Sequence, residues 1–381
     1  MDLISGLTEF GGFLAGYILP FLFVLTIVVF FHELGHFLVA RWNGVTVTTF
    51  SVGFGPEIFG WYDKHGTRWR VSWLPLGGYV KFLDDEGAAS TPDLEKIQEL
   101  SEEERKGAFH LKSLGARAAV VAAGPIANFI LAIVIFSVMF AFVGRQITTP
   151  RVDSIVEDSA AAAAGFQAGD LVLQIDGVEI ESFADMQRIV SVSADQELVF
   201  LLERDDEEIL ISAVPKRREI TDRFGNVQKI GLIGISRSAQ AEDFNLVKYP
   251  LPEAVWRGTQ ETWFVVARTM GYLYGVITGR EDASQLGGPI RIAQVSGQVA
   301  TLGMAALIQL AAVLSVSIGL INLFPVPMLD GGHLLYYGIE ALRGRPLSDN
   351  AKELGFRVGL ALLLMLMVFA TWNDVANLSR L

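Results

Sequence analysis

Phe31-His32-Glu33-Leu34-Gly35-His36-Phe37 lies inside an apolar stretch, Gly11 to Ala40, that otherwise carries no histidine or charged residue. As a helix this stretch is about 45 Å long, enough to cross a bilayer core. Positions 32 and 36 fall one turn apart on one helical face, so both imidazoles reach a single divalent cation. Glu33 lies beside them, where it takes a proton from a water at that ion, and His-Glu-x-x-His is the spacing of metal-assisted peptide hydrolysis. The alternative is a pair of polar residues at a helix end. Ionisable groups in lipid cost several kcal/mol unless paired or liganded, so their presence here marks function.

The 381 residues are 51% hydrophobic and 19% charged, too apolar for an ordinary soluble chain and too charged for spans alone. A net charge of −12 excludes nucleic acid as a partner, since phosphate binding needs clustered Lys and Arg. Without cysteine there is no disulfide and no thiolate metal site, so ligands must come from the five histidines and the carboxylates. The N-terminal run has no basic leader or small-residue cleavage pattern and reads as a retained span.

Three further spans are predicted, at Ala118–Val143, at Ala305–Phe324 and, from a shorter uncharged run, at 356–373. Arg41, Lys106, Lys112 and Arg117 flank the first loop, and Arg343, Arg345, Lys352 and Arg357 fill the loop after the third span. The positive-inside rule makes these loops cytoplasmic and puts both termini and the 144–304 region on the far side. Five residues separate His36 from Arg41. The metal then belongs inside the bilayer, toward the cytoplasmic face.

A catalytic zinc site has three protein ligands and an open position. Asp330, in Asn322-Leu-Phe-Pro-Val-Pro-Met-Leu-Asp330-Gly-Gly-His333, is the third candidate: Pro325 and Pro327 break the helix, and Gly331-Gly332 permits a tight turn. Read by itself, Asp330 serves equally as a helix N-cap, and His333 is a rival ligand or a supporting residue. His65 and His110 lack partners at ligand spacing and read as surface positions.

Together these segments resemble the site-2 protease family of intramembrane zinc metalloproteases, of the bacterial RseP (regulator of sigma-E protease) type. His32-Glu33-Leu-Gly-His36 is similar to the family's H-E-x-x-H, and Asn322 to Gly331 to its N-x-x-P-x-P-x-L-D-G. The resemblance implies Zn²⁺ held by His32, His36 and Asp330, with Glu33 as general base. Gly53-Phe-Gly55, Gly124-Pro-Ile-Ala-Asn128 and Leu286-Gly-Gly-Pro-Ile290 match further family segments in order. Where such proteins often carry two tandem PDZ domains, this chain has signal for one.

Residues 45–82 read as a membrane-associated β-hairpin turning at Asp63-Lys-His-Gly66. Pro75 cannot donate within a sheet, so the Leu74–Tyr79 segment, with Gly77, Gly78 and Tyr79, is expected at an open edge where an unwound substrate adds as a strand. A cytoplasmic linker fills 83–117. Residues 150–236 resemble a bacterial PDZ domain, with Ala164-Gly165 through Gly169-Asp170 and the Asp176-Gly177 turn. There Leu232-Ile233-Gly234-Ile235 reads as a loop for peptide C-termini or as an ordinary final strand. Residues 251–278 form an amphipathic pattern, with Trp256, Trp263, Val266, Met270, Leu273 and Ile277 on one face, expected at the membrane interface or packed against a core.

The expected architecture is a polytopic α-helical membrane protein with about four spans, the hairpin, and one PDZ domain inserted between spans two and three. The expected function is intramembrane proteolysis at the inner membrane, with the metal toward the cytoplasm and the PDZ domain in the periplasm. By the family's pattern, substrates are single-span membrane proteins such as an anti-sigma factor after a first cut, and remnant signal peptides. Asn128 and Asn322 are candidate substrate or oxyanion contacts. The rivals are a non-proteolytic PDZ receptor or adaptor with structural zinc, and a transporter, whose repeat symmetry the sequence lacks.

Overall fold

The computed structural model describes residues 12, 14–85, 94–221, 227–237, 245–280, 283 and 286–378. Parts of the predicted linker (86–93) and of the 150–236 region (222–226) lie outside the described residues. The chain divides into two units, Met1–Val138 with Ala254–Arg380, and Met139–Glu253.

Among the described residues, four helices are long and apolar enough to cross a membrane: α1 (Leu14–Trp42), α4 (Leu114–Val143), α9 (Met304–Asn322), and the Asn350–Ala376 part of α11 (Asp349–Leu378). Lipid tails give apolar helices no hydrophobic reason to associate, so small residues that let backbones approach must do it. At Gly35 of α1 a Cβ would strike the Ala123 carbonyl of α4 and come 2.7 Å from Ala127 Cβ. At Gly319 of α9 it would lie 3.1 Å from both Asn128 Cβ and the Pro125 carbonyl. The predicted 83–117 linker holds two short helices, α2 (Leu94–Glu99) and α3 (Glu102–Arg105), and α4 begins four residues before the predicted span.

The fourth span is longer than predicted because its polar ends are paired. Arg357 and Glu353 are 2.6 Å apart, one turn from each other. Asp374 is buried and accepts the amides of Gly288 (2.8 Å) and Arg291 (3.1 Å), capping α8 (Pro289–Ala300). That cap gives the Leu286–Ile290 motif a structural job. In α7 (Leu251–Ile277) the packed face is made of Ala254, Gly258 and Thr262, while Trp256, Trp263, Met270 and Ile277 are exposed. A Cβ at Gly258 would lie 2.5 Å from Ser137 Oγ. On the tryptophan face, Val266 and Leu273 are half-buried.

The predicted β-hairpin is present, and its two strands are bent. Strand β1 (Val47–Tyr62) and β2 (Arg68–Phe82) each bend, so that two strands supply four sheet segments. Thr49–Val52 pairs antiparallel with Gly78–Lys81 on one side and, its numbering rising together with Arg68–Val71, parallel on the other. Glu57–Tyr62 then pairs antiparallel with Arg68–Ser72. The bends fall at Gly53 (φ +90°) and at Gly77 (φ +152°), where a side chain would strike the Phe54 ring. Pro75 sits at the second bend, between ladders. The sheet is anchored on α1 by an aromatic cluster: Phe50 lies 5.4 Å from Phe37 and 4.3 Å from Trp69. At the turn, Asp63 pairs with Arg41 and accepts Trp69 Nε1–H at 3.1 Å.

The Met139–Glu253 unit contains a four-stranded sheet, in the order β4 (Val178–Glu179), β3 (Leu171–Ile175), β5 (Leu198–Arg204), β6 (Glu207–Ala213). Two short helices accompany it, α5 (Ala160–Ala164) and α6 (Phe183–Val192), started by side-chain caps from Ser159 and Ser182. Val152, Val172, Ile175, Phe200 and Leu202 form its core.

After β2, Asp84 accepts the amides of Phe109 and His110 (2.8 Å each) and the His110 ring Nδ1 (2.9 Å), while Asp85 accepts the Phe82 amide at 2.7 Å. The prediction of His110 at the surface fails because this turn folds back onto it. Burial opposes ionisation of Asp84, but the His110 ring and the two amides outweigh it and hold that carboxyl below the ordinary range. Burial, reinforced by the Asp84 charge, pushes Asp85 up to about 6 against the Phe82 amide and His110. A raised carboxyl means that the folded state holds the proton more tightly, so its cost appears as pH rises from the unfolded value of about 4 through 6. Asp85→Asn keeps an acceptor for Phe82 and should raise the melting temperature in detergent at pH 8 while leaving it unchanged near pH 4. Equal melting temperatures at pH 8 would show that the charge is relieved by other means.

Candidate metal centre

His32 is buried and His36 half-buried on one face of α1, and their Nε2 atoms lie 3.2 Å apart. The His36 Nδ1–H donates to the Val120 carbonyl at 2.9 Å, which turns its Nε2 lone pair inward. Asp330 opens α10 (Asp330–Arg343) and meets both rings: Oδ2 is 3.2 Å from His32 Nε2, and Oδ1 is 3.6 Å from His36 Nε2. The N-cap position belongs to Leu329, which makes no side-chain cap, so the cap reading of Asp330 is set aside.

The backbone gives Asp330 this aim at a cost. Met328 has φ +87°, a left-handed conformation worth about 1–3 kcal/mol of strain for a side-chain-bearing residue. Gly331 and Gly332 are buried, and a Cβ on either would strike the carbonyls of Leu323 and Phe324, or of Val326.

This donor set fits a metal ion. Its three donor atoms lie within 4.8 Å of one another, and Asp330 Oδ2 is buried without a hydrogen-bond donor. Converging imidazole lone pairs and a carboxylate repel unless a cation lies between them, and two nitrogens with one oxygen suit zinc. The space is reserved by Gly124 of α4, where a Cβ would strike His36 Nε2 and come 2.9 Å from His32 Cε1. His333 lies outside this three-residue set.

Glu33 points from the same turn toward the outer sheet segment, where the Val80 amide reaches its carboxylate. A Cβ at Gly78 would come 3.2 Å from Glu33 Cγ. Tyr79 stacks on Phe54 at 6.0 Å, and Asn322 is the half-buried last residue of α9. Asn128 is fully buried, with its amide 3.3 Å from His32 Nδ1. In the other unit, the Ile233 carbonyl accepts the Ala161 amide, the Gly234 carbonyl accepts the Val156 amide, and Ile235 pairs with Ile155. His65 is exposed, as expected. Sequence reasoning missed the Asp84–Asp85–His110 cluster, for which no linear spacing existed.

Two histidines on a helix of spanning length, met by a carboxylate from the turn after another such helix and with a second carboxylate beside them, are the arrangement of a membrane-embedded metal-dependent hydrolase. The model of Peptidase family M50 matches residues 20–366, and the chain belongs to that family, the site-2 proteases, which are zinc-dependent. It is 53% identical to a protein of Agrobacterium fabrum provisionally named a zinc metalloprotease, over 96% of this chain and 97% of that one. A similarly named Rhizobium meliloti protein is 52% identical over 94% and 96%. Metalloprotease MmpA of Caulobacter vibrioides is 40% identical over 93% and 94%. A solved PDZ domain from Listeria monocytogenes is 23% identical over 23% of this chain and 83% of its own, with a TM-score of 0.18, too low to assign the fold of the 139–253 unit.

Gly124→Ala tests the reserved space. The added methyl should displace both rings and lower zinc content after dialysis, while helical circular dichroism is retained. Full zinc occupancy in that variant would mean that the imidazoles have another way to converge.

Proposed function

We propose that this zinc-dependent protease cuts peptide bonds within the transmembrane segments of other membrane proteins, with the ion held by His32, His36 and Asp330. The observation that carries this reading is the position of the donor set, with its two histidines on a helix of spanning length and the outer segment of a bent sheet beside them. Zinc, when bound, supplies Lewis-acid polarisation of the scissile carbonyl and lowers the pKa of water. Glu33 takes the proton from the attacking water as the new C–O bond forms and delivers it to the nitrogen as the C–N bond breaks.

A peptide within a transmembrane helix must unwind before attack, and its freed backbone groups need partners where there is no water. In this reading the outer Gly78–Phe82 segment, with Gly77 at its bend, offers them by strand addition, and Asn322 contacts the substrate. Exposed Ile58, Phe59, Trp61, Tyr62, Trp73 and Leu76 support a sheet that sits in the bilayer. Exposed Trp256 and Trp263 support an interfacial α7.

The distribution of Lys and Arg supports an inner-membrane protein with the metal toward the cytoplasm and residues 139–253 on the periplasmic side. We read that unit as a PDZ domain that captures peptide C-termini or obstructs bulky ectodomains. The substrates we propose are single-span proteins already shortened outside the membrane, of which an anti-sigma factor is the type implied by the sequence resemblance.

Glu33→Gln should keep near-wild-type zinc and lose roughly a hundredfold or more of the cleavage of a tagged single-span substrate. His32→Ala, His36→Ala and Asp330→Ala should lose zinc as well. Cleavage by Glu33→Gln at the wild-type rate would sink the proposed mechanism, and a zinc-loaded wild type that cleaves nothing would favour a receptor with structural zinc.

Removal of residues 151–235 addresses the filter. A shortened substrate should be cut as before, and a full-length one should become cleavable. Equal loss on both would give the domain a role in folding or catalysis.

A further inference from the structure

We propose that Asn128 is a positioning residue for the first histidine ligand: its side-chain oxygen accepts the His32 Nδ1–H and so holds Nε2 toward the metal. The inference rests on His32 being a ligand, as proposed above. A histidine that binds a cation through Nε2 carries its proton on Nδ1, and that proton needs an acceptor when buried. For His36 the acceptor is the Val120 carbonyl at 2.9 Å. For His32 the group at Nδ1 is the Asn128 amide, 3.3 Å away.

The two amide heteroatoms of asparagine exchange by a half-turn of the terminal torsion. As drawn, Nδ2 faces His32 Nδ1, while Asn128 Oδ1 is buried without a hydrogen-bond partner. With Nε2 on a metal, that orientation sets N–H against N–H. The half-turn leaves one amide group unmatched, as before, but replaces the repulsion with an N–H···O hydrogen bond.

Asn128 is itself locked. It is fully buried, its backbone carbonyl accepts Ser315 Oγ–H at 2.9 Å, and its Cβ would lie 3.1 Å from a Cβ at Gly319. Helix α9 thus presses Asn128 onto His32 and, through the turn that follows it, delivers Asp330. One helix orders the partner of one ligand and the approach of another.

The test is zinc affinity of the full-length protein in detergent, by competition with a chromophoric chelator, with a thermal melt for each variant to confirm folding. Asn128→Leu, which is near-isosteric without an acceptor, should bind zinc roughly ten- to a hundredfold more weakly. Asn128→Asp, which can accept but not donate, should stay within about threefold of wild type. Ser315→Ala, which removes the helix contact without touching His32, should do the same. Wild-type affinity in Asn128→Leu overturns the proposal. So does an Asn128→Asp as weak as Leu, since the amide N–H would then be the working group, and so does an equal loss in Ser315→Ala, which would reduce the effect to packing. If the Leu variant does not fold, Asn128→Ala is judged by the same criteria. His32→Ala with full zinc would instead defeat the ligand assignment itself, an outcome separate from the others.

Discussion

Two imidazole lone pairs and a carboxylate meet within 4.8 Å inside a bundle of apolar helices. In a medium of low dielectric such a meeting is unfavourable by several kcal/mol unless a cation joins it. The helices that bring the groups together must therefore be held by something else before metal arrives. Glycines and alanines at the crossings of α1, α4 and α9 do this, because backbone contact in lipid does not depend on water. The same small residues leave room for the site: Gly124 faces the rings, and Gly35 brings α1 onto α4 between the two histidines.

Each donor is then aimed from its back. His36 is tied to the Val120 carbonyl of α4, five residues before the proline that interrupts that helix's hydrogen-bond ladder. Asp330 is aimed by a turn that tolerates a left-handed methionine and excludes side chains at the next two positions. A strained turn is stable only when its surroundings leave no alternative, and the carbonyls of Leu323, Phe324 and Val326 pack where a side chain at Gly331 or Gly332 would go.

What was legible in the sequence followed from local periodicity and from motif spacing. The His32–His36 pair, the neighbouring Glu33 and the apolar spans could be read because helical geometry alone fixes them. Asp330 was reached as one of two options, since nothing linear separates a cap from a ligand or Asp330 from His333. The paired Glu353–Arg357 and capped Asp374 hid the true length of the last helix, because hydropathy counts charges without their partners. The sheet was read as a hairpin because alternation reports strands but not their bends, which come from Gly53 and Gly77. His110 looked solitary because its partner Asp84 is brought to it by a turn and not by spacing. The tryptophans of α7 were correctly placed on one face, and only packing revealed that the opposite, small-residue face is the one that meets protein.

The bent sheet also links Glu33, proposed above as the general base, to the edge proposed for an added substrate strand. Phe37 packs on Phe50 one turn from Glu33, so the helix carrying the base and the sheet share one aromatic core. At the outer segment the Val80 amide reaches the Glu33 carboxylate, and Gly78 lets the backbone pass close to its stem. A side chain at position 78 would push the strand away from α1 and separate the edge from the base. Water attack on a peptide requires the scissile carbonyl, the proton acceptor and the metal ligands to hold a common geometry within fractions of an ångström. A sheet fastened to the same helix as the histidines satisfies that requirement without a further loop, because what fixes the edge relative to α1 also fixes it relative to Glu33.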